Sequence, residues 1–140
     1  MKEILDKILS YEDQDEAWDL LGLDETVELI RSKPNVDWSK NPDKIVENKP
    51  IVVSRLLEAA FFAKDDSLVW IISSIALICS DENIVDIFYL IGENMAAKLS
   101  EDILRVILTR MEAQNSPLRE SSTYKEIVHR IQRHLSDSDK

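Results

Sequence analysis

The chain has 140 residues, of which 44% are apolar and 31% charged. That composition fits one folded domain and excludes a disordered chain, while two glycines and four prolines exclude collagen-like and low-complexity classes. Acids outnumber bases 27 to 17, a net charge of −10, which disfavours generic binding to nucleic acid or anionic membrane and suits a basic partner or simple solubility.

The apolar spacing is helical from the start. Ile4, Leu5, Ile8 and Leu9 form one stripe. Asp13 and Glu16 have the spacing of a capping box for a short helix carrying Trp18, Leu20 and Leu21. Gly22 is expected to end that helix, and Asp24 to cap a third with Val27 and Ile30 facing inward. Residues 34–48 are expected to be a long loop, rich in turn formers: Pro34, Asn35, Asp37, Asn41, Pro42 and Asp43. Trp38 at its middle either pins the loop to the core or forms an exposed anchor.

Pro50 suits the first turn of a helix running through Leu56, Leu57, Ala60 and Phe61 to about Lys64. The next helix is expected from Asp65-Asp66-Ser67 to Cys79, at the centre of the fold, because apolar residues surround most of it. Ser80 or Asp81 then caps a helix with Ile84, Ile87, Phe88 and Ile91 on one face, ending near Gly92 or shortly after. Ser100 caps another, stapled by Leu99 and Leu104, with Ile103, Val106, Ile107, Arg110 and Met111 as its stripe. Ser116-Pro117 opens a short turn, and Thr123 with Glu126 forms a capping box for a last helix with Ile127, Ile131 and Leu135 inward. Residues 136–140 are expected to be a flexible tail. A strand reading at residues 51–53 and 84–91 competes, but neither segment alternates polar with apolar residues. The expected fold is therefore all-α: one domain over residues 1–140, about seven to nine helices in antiparallel pairs, stacked regularly or as an irregular bundle.

Cys79 is the only cysteine, so no internal disulfide can form, and its apolar setting points to a core thiol. The N-terminal stretch has charges of both signs and no secretory signal is expected. The longest uncharged run, Ser67 to Ser80, is 14 residues, short of the roughly 20 that span a bilayer. A cytoplasmic, non-membrane protein is expected. His129 and His134 are five apart, whereas zinc-binding pairs on a helix want four. With no phosphate-binding glycine loop and no nucleophile–base pattern in the sequence, neither an enzyme, a cofactor nor a metal is expected. The modest basic stripe of the last helix, Lys125, Arg130 and Arg133, is diluted by Glu126, Asp137 and Asp139, so nucleic acid is not expected as a partner.

The charge is uneven. Residues 1–30 hold 10 acids and 2 bases, and residues 65–104 hold 8 acids and 1 base. Pairs such as Asp65-Asp66, Asp81-Glu82 and Glu101-Asp102 fall in helix first turns, where they complement the dipole. Asp19, Asp86 and Glu93 lie beyond those turns. Three helix starts also align: Asp65 to Ile72, Asp81 to Phe88 and Ser100 to Ile107 share a polar cap, an acidic first turn and apolar pairs around one variable residue. Trp70, Asp86 and Arg105 occupy that variable slot. The spacing resembles HEAT or armadillo helix pairs.

The acidic opening Glu12-Asp13-Gln14-Asp15-Glu16-Ala17-Trp18-Asp19, with the HEAT-like segments from Pro50 to Met111, makes the chain similar to toxin-neutralising bacterial immunity proteins of contact-dependent growth inhibition systems. That resemblance implies an inhibitor that occludes a basic cognate toxin, such as a nuclease domain, through an acidic surface. The candidate partner-binding residues are Asp15, Glu16, Asp19, Asp37, Trp38, Asp65, Asp66 and Asp86. The alternative is a HEAT-like adaptor that takes a peptide or helix in a groove, using apolar excess around Phe61, Phe62, Trp70 and Tyr89, side chains that could equally fill the core. The sequence leaves the oligomeric state open.

Overall fold

Helical periodicity becomes helical structure along the whole described chain. The computed structural model describes residues 2–32, 48–64, 66–114 and 117–138, and among them the fold is all-α with no strand. The expected sites Asp37, Trp38 and Asp65, and nearly all of the expected 34–48 loop, lie outside the described residues. The chain forms two compact units, Met1–Ser80 and Asp81–Lys140.

In unit 1, α1 (Lys2–Leu9) buries Ile4, Leu5 and Ile8. A turn leads to α2 (Asp15–Ala17), which passes without interruption through a π turn (Trp18–Gly22) into α3 (Leu23–Arg31). Here the structure corrects the expectation that Gly22 ends a helix. Gly22 has ordinary right-handed helical dihedrals, φ −60° and ψ −40°, and Asp24 caps nothing. The physical reason is the spacing of what must be buried. Trp18, Gly22, Thr26 and Ile30 recur at intervals of four and all lie inside. On a straight α-helix that interval drifts by about 40° per step. The wider π turn winds back part of the drift and keeps the four on one face.

Pro50 opens α4 (Pro50–Ala63) as expected, and the helix ends at Lys64 in the left-handed conformation, φ 57°. Arg31 reaches across from α3 and donates to the last carbonyls of α4, Nη2 to Phe62 and Nε to Ala63, both at 3.2 Å. After the short linker comes α5 (Ser67–Ile75), whose hydrogen bonding continues as a turn to Cys79. α4 packs on α1, α3 and α5, so the core of unit 1 is built around Val52, Val53, Leu56, Leu57 and Ala60. Cys79 is buried, as expected.

The expectation that α5 runs centrally with all faces covered is corrected. Ile71, Ile72 and Ile75 are fully buried, but Trp70 is 58% exposed and Leu77 69%. Phe61, Phe62 and Tyr89, which could have been core residues, are exposed too. α4 packs against one side of this nine-residue helix, and apolar composition alone does not bury the rest.

In unit 2, α6 (Asp81–Tyr89) buries Ile84, Ile87 and Phe88, and Ile91 follows them inside. Extended backbone at Gly92, ψ −178°, follows the expected end of α6 and precedes a separate short helix, α7 (Glu93–Lys98), that the sequence did not announce. α8 (Glu101–Ala113) starts as expected: the Ser100 hydroxyl accepts from the Ile103 amide at 3.2 Å, with Leu99 and Leu104 both buried beside it. Its inner face is Leu104, Ile107 and Met111, while Ile103 and Val106 are half-buried. A 3₁₀ turn (Pro117–Glu120) leads to α9 (Ser122–Ser138). Ser121, not Thr123, caps α9 by accepting from the Tyr124 amide at 3.1 Å. α9 packs on α6, α7 and α8 through Tyr124, Ile127 and Ile131.

Candidate functional site

The acidic opening of the chain is where the sequence concentrates candidates, and the structure divides them by role. Asp15 is held from inside. Its carboxylate pairs with Arg55, a guanidinium only 6% exposed, while the carboxylate itself is 87% exposed. Arg55 also donates to the Tyr11 carbonyl at 2.7 Å and stacks over the Trp18 ring, 5.2 Å from its centroid. A cation so enclosed needs a counter-charge and donors' acceptors close by, and Asp15, Tyr11 and Trp18 supply them. The Trp18 indole N–H in turn donates to Glu58 at 3.0 Å.

The same cluster continues along α1 and α3. The Tyr11 ring meets Trp18 edge-on at 6.3 Å, and its hydroxyl donates to Glu25 at 2.6 Å. Lys7 donates to the other Glu25 oxygen at 2.8 Å. The Lys7 ammonium, then the Tyr11 hydroxyl, hold the Glu25 carboxyl below its ordinary range, and Glu25 in return raises both Lys7 and Tyr11. Gly22 lies beneath the two rings: a Cβ there would stand 2.7 Å from Trp18 Cε3 and 2.9 Å from Tyr11 Cδ2. This is the one glycine of the chain whose smallness the packing requires.

Outside this scaffold, the helix that carries the π turn presents a different set. Glu16 and Asp19 are exposed, as is Asp24, and none of the three has an ion pair with a described residue. Between them stand Leu20, 69% exposed, and Leu21, 60% exposed. Glu16 precedes Leu20 by four residues, Asp24 follows it by four, and Asp19 adjoins it. The result is an apolar pair ringed by carboxylates, on a unit with 16 acids against 9 bases. Such a surface offers apolar contact at its centre and hydrogen-bond acceptors for cations at its rim.

Thus the structure brings Asp15, Glu16 and Asp19 onto one helix. Asp66 is exposed at the start of α5 and is not part of that group in sequence or helix. Asp86 belongs to unit 2, exposed on α6 and 3.5 Å from the Asn83 amide nitrogen. Sequence reasoning did not single out Leu20, Leu21 or Asp24 as site residues: it placed the first two on a short helix and made the third a cap. The interval of four from Trp18 through Gly22 and Thr26 to Ile30 was the available signal.

Elsewhere, Glu93 in unit 2 accepts from Arg133 at 2.6 Å and Arg130 at 3.2 Å, with His134 at 3.8 Å. Arg133 first, then Arg130, hold the Glu93 carboxyl low. Among the described residues no group of three or more His, Cys, Asp or Glu could hold a metal ion, and no helix is long and apolar enough to cross a membrane. In comparisons with known proteins, the chain matches no family model, no curated protein and no solved structure at a significant level.

Proposed function

We propose that the chain is a binding inhibitor of the immunity type, which occludes a basic protein, such as the nuclease domain of a cognate toxin, through the surface of the π-turn helix. One observation carries the reading. Glu16, Asp19 and Asp24 are exposed and unpaired among the described residues, and they surround exposed Leu20 and Leu21. Three neighbouring like charges repel one another, and a cationic partner relieves that repulsion. The carboxylates would steer a basic partner and speed association; the leucines would be desolvated on docking and slow dissociation. Asp15 contributes indirectly, because Arg55 already engages it.

The test begins with isolation of the tagged chain at low salt and identification of what accompanies it. Association is then timed against salt for the native chain, for Glu16→Gln/Asp19→Asn/Asp24→Asn, and for Leu20→Ser/Leu21→Ser. The reading expects one basic partner, an on-rate that falls steeply with salt, a slower salt-insensitive on-rate for the neutralised variant, and faster dissociation for the serine variant. An acidic partner, or unchanged binding by both variants, overturns it.

Exposed Phe61, Phe62 and Trp70 favour a second reading, a helical adaptor that takes an apolar helix beside α4 and α5. Its association would change little with salt and would be indifferent to Glu16, Asp19 and Asp24.

A further inference from the structure

Arg55 is the one charged side chain that is buried among the described residues. Its guanidinium engages the Tyr11 carbonyl, the Asp15 carboxylate and the Trp18 ring, which precede or open the π turn. Beyond the turn, α3 packs on the same helix, α4, and buries Thr26, Val27 and Ile30. One helix therefore holds the chain on both sides of the turn. The turn itself is closed by the Leu23 amide, which donates to the Trp18 carbonyl five residues back. At its far end the buried Thr26 hydroxyl donates to the Gly22 carbonyl at 2.7 Å.

π turns are rare inside α-helices, and this one persists because the contacts on its two sides fix different angles. Rewound as an α turn, with the Trp18 carbonyl taking the Gly22 amide instead, the preceding residues would rotate by one helical step, ~100°, against α3. Asp15 and Trp18 would then leave Arg55, and a guanidinium only 6% exposed would lose its counter-charge. We propose that Arg55 is the positioning residue of the docking face: through Asp15 and Trp18 it keeps Trp18–Gly22 in the π register, and so sets Glu16, Asp19, Leu20, Leu21 and Asp24 outward together. The role in docking rests on the reading of that face given above; the role in the register does not. Glu58 is the other candidate for the lock, since it accepts from the Trp18 indole at 3.0 Å. It is itself exposed, however, so water can take its place as acceptor. The enclosed guanidinium has far less water to turn to.

The lock matters because the turn divides the face. Glu16 lies before it, Asp19 within it and Asp24 after it. Rotation by one step carries Glu16 away from Asp24 and opens the ring of carboxylates around Leu20 and Leu21. A face already held in one register spends no binding free energy on ordering itself. Loss of Arg55 therefore shows in dissociation. Association is not slowed, because removal of a cation leaves the face more acidic toward a basic partner.

The test is an NMR measurement of scalar coupling across backbone hydrogen bonds in the isotope-labelled full chain. The native chain and Glu58→Gln should couple the Leu23 amide to the Trp18 carbonyl. In Arg55→Met, which keeps an apolar stem of similar length, that coupling should fall by at least half and a Gly22-to-Trp18 coupling should replace it. Asp15→Ala should do the same and is certain to leave the core intact, since the Asp15 carboxylate is 87% exposed. Arg55→Lys, which keeps the charge, should keep the native coupling. Full coupling from Leu23 to Trp18 in Asp15→Ala, or its absence from the native chain, overturns the proposal. With the basic partner isolated as above, Arg55→Met should dissociate at least tenfold faster while associating no more slowly at low salt. Slower association with unchanged dissociation overturns the positioning role. The coupling measurement needs no partner, so failure of the docking reading and failure of the lock are told apart.

Discussion

Residues 1–80 enclose a guanidinium, Arg55, and leave Leu20, Leu21, Ile51, Phe61, Phe62, Trp70 and Leu77 at the surface. Residues 81–140 do the reverse among their described residues. Their arginines lie at or near the surface over carboxylates, Arg110 on Asp81 and Arg130 and Arg133 on Glu93, and Tyr89 is the one large apolar side chain classed as exposed. Both units hold tight apolar cores, so the difference is not one of foldability. In unit 1 the polar cluster ties the start of α2 and the π turn to α4 through Asp15, Trp18 and Arg55, and the apolar residues at the surface lie on other faces. Unit 1 is accordingly where binding is proposed, and unit 2 closes its surface with ion pairs, which exposed to water contribute little stability.

Four experiments sharpen or break that contrast. The largest effect is expected for Arg55→Ala. It removes the stack on Trp18 and the bonds to Tyr11 and Asp15, and leaves a void among buried neighbours. A loss of about 2–3 kcal/mol is expected. Urea unfolding followed by tryptophan fluorescence reads it directly, because Trp18, Trp38 and Trp70 all belong to unit 1. An unmoved midpoint would mean the cluster is ornamental and the contrast false. Next comes Gly22→Ala. Alanine favours a helix by about 1 kcal/mol over glycine, but its methyl meets two rings held by Glu58, Arg55 and Glu25. The clash should win, for a net loss of about 1–2 kcal/mol in the same assay; a gain would show that Trp18 shifts freely.

In unit 2, the Tyr124 hydroxyl is buried and has no hydrogen-bond partner among the described residues, while its ring packs on Phe88 at 4.9 Å. Tyr124→Phe keeps the ring and deletes the orphaned group, so a gain of about 1 kcal/mol is expected from thermal unfolding. A loss would mean that the hydroxyl is bonded in solution. The smallest effects are those of pH. Glu25 and Glu93 sit below their usual 4.5, so each contributes stability present above that value and lost as pH falls through the lower folded one. Lys7 and Tyr11 sit above their usual 10.5 and 10.0. Their contribution is present below about pH 10 and is lost as pH rises through the raised values. Stability curves of Glu25→Gln and Glu93→Gln should therefore differ: the first flattens both the acid and the alkaline limb, the second only the acid limb. Identical curves would erase this distinction between the units.

Much of the fold was legible because local chemistry decides it. Pro50 at a first helical turn, Ser100 as a cap, and the stripe Ile84, Ile87, Phe88 and Ile91 all act within a few residues of themselves. What stayed hidden depends on distant partners. Arg55 reads as a surface residue until Trp18, Tyr11 and Asp15 converge on it from some 40 positions away. For Trp70 the sequence leaves core and surface both open, and its 58% exposure decides for the surface. The candidate site was half legible: Glu16 and Asp19 came from charge counting, while Leu20, Leu21 and Asp24 required the π turn to turn them outward.

The π turn also has a consequence for how such a surface changes over generations. It is one residue longer than the α-helical turn that would replace it, so loss of the codon for Leu20 or Leu21 removes an exposed leucine and the extra residue of the turn together. Docking surfaces usually alter by substitution, one side chain at a time. In the surface proposed above, an in-frame deletion or insertion at the π turn would change several outward residues in a single mutational event.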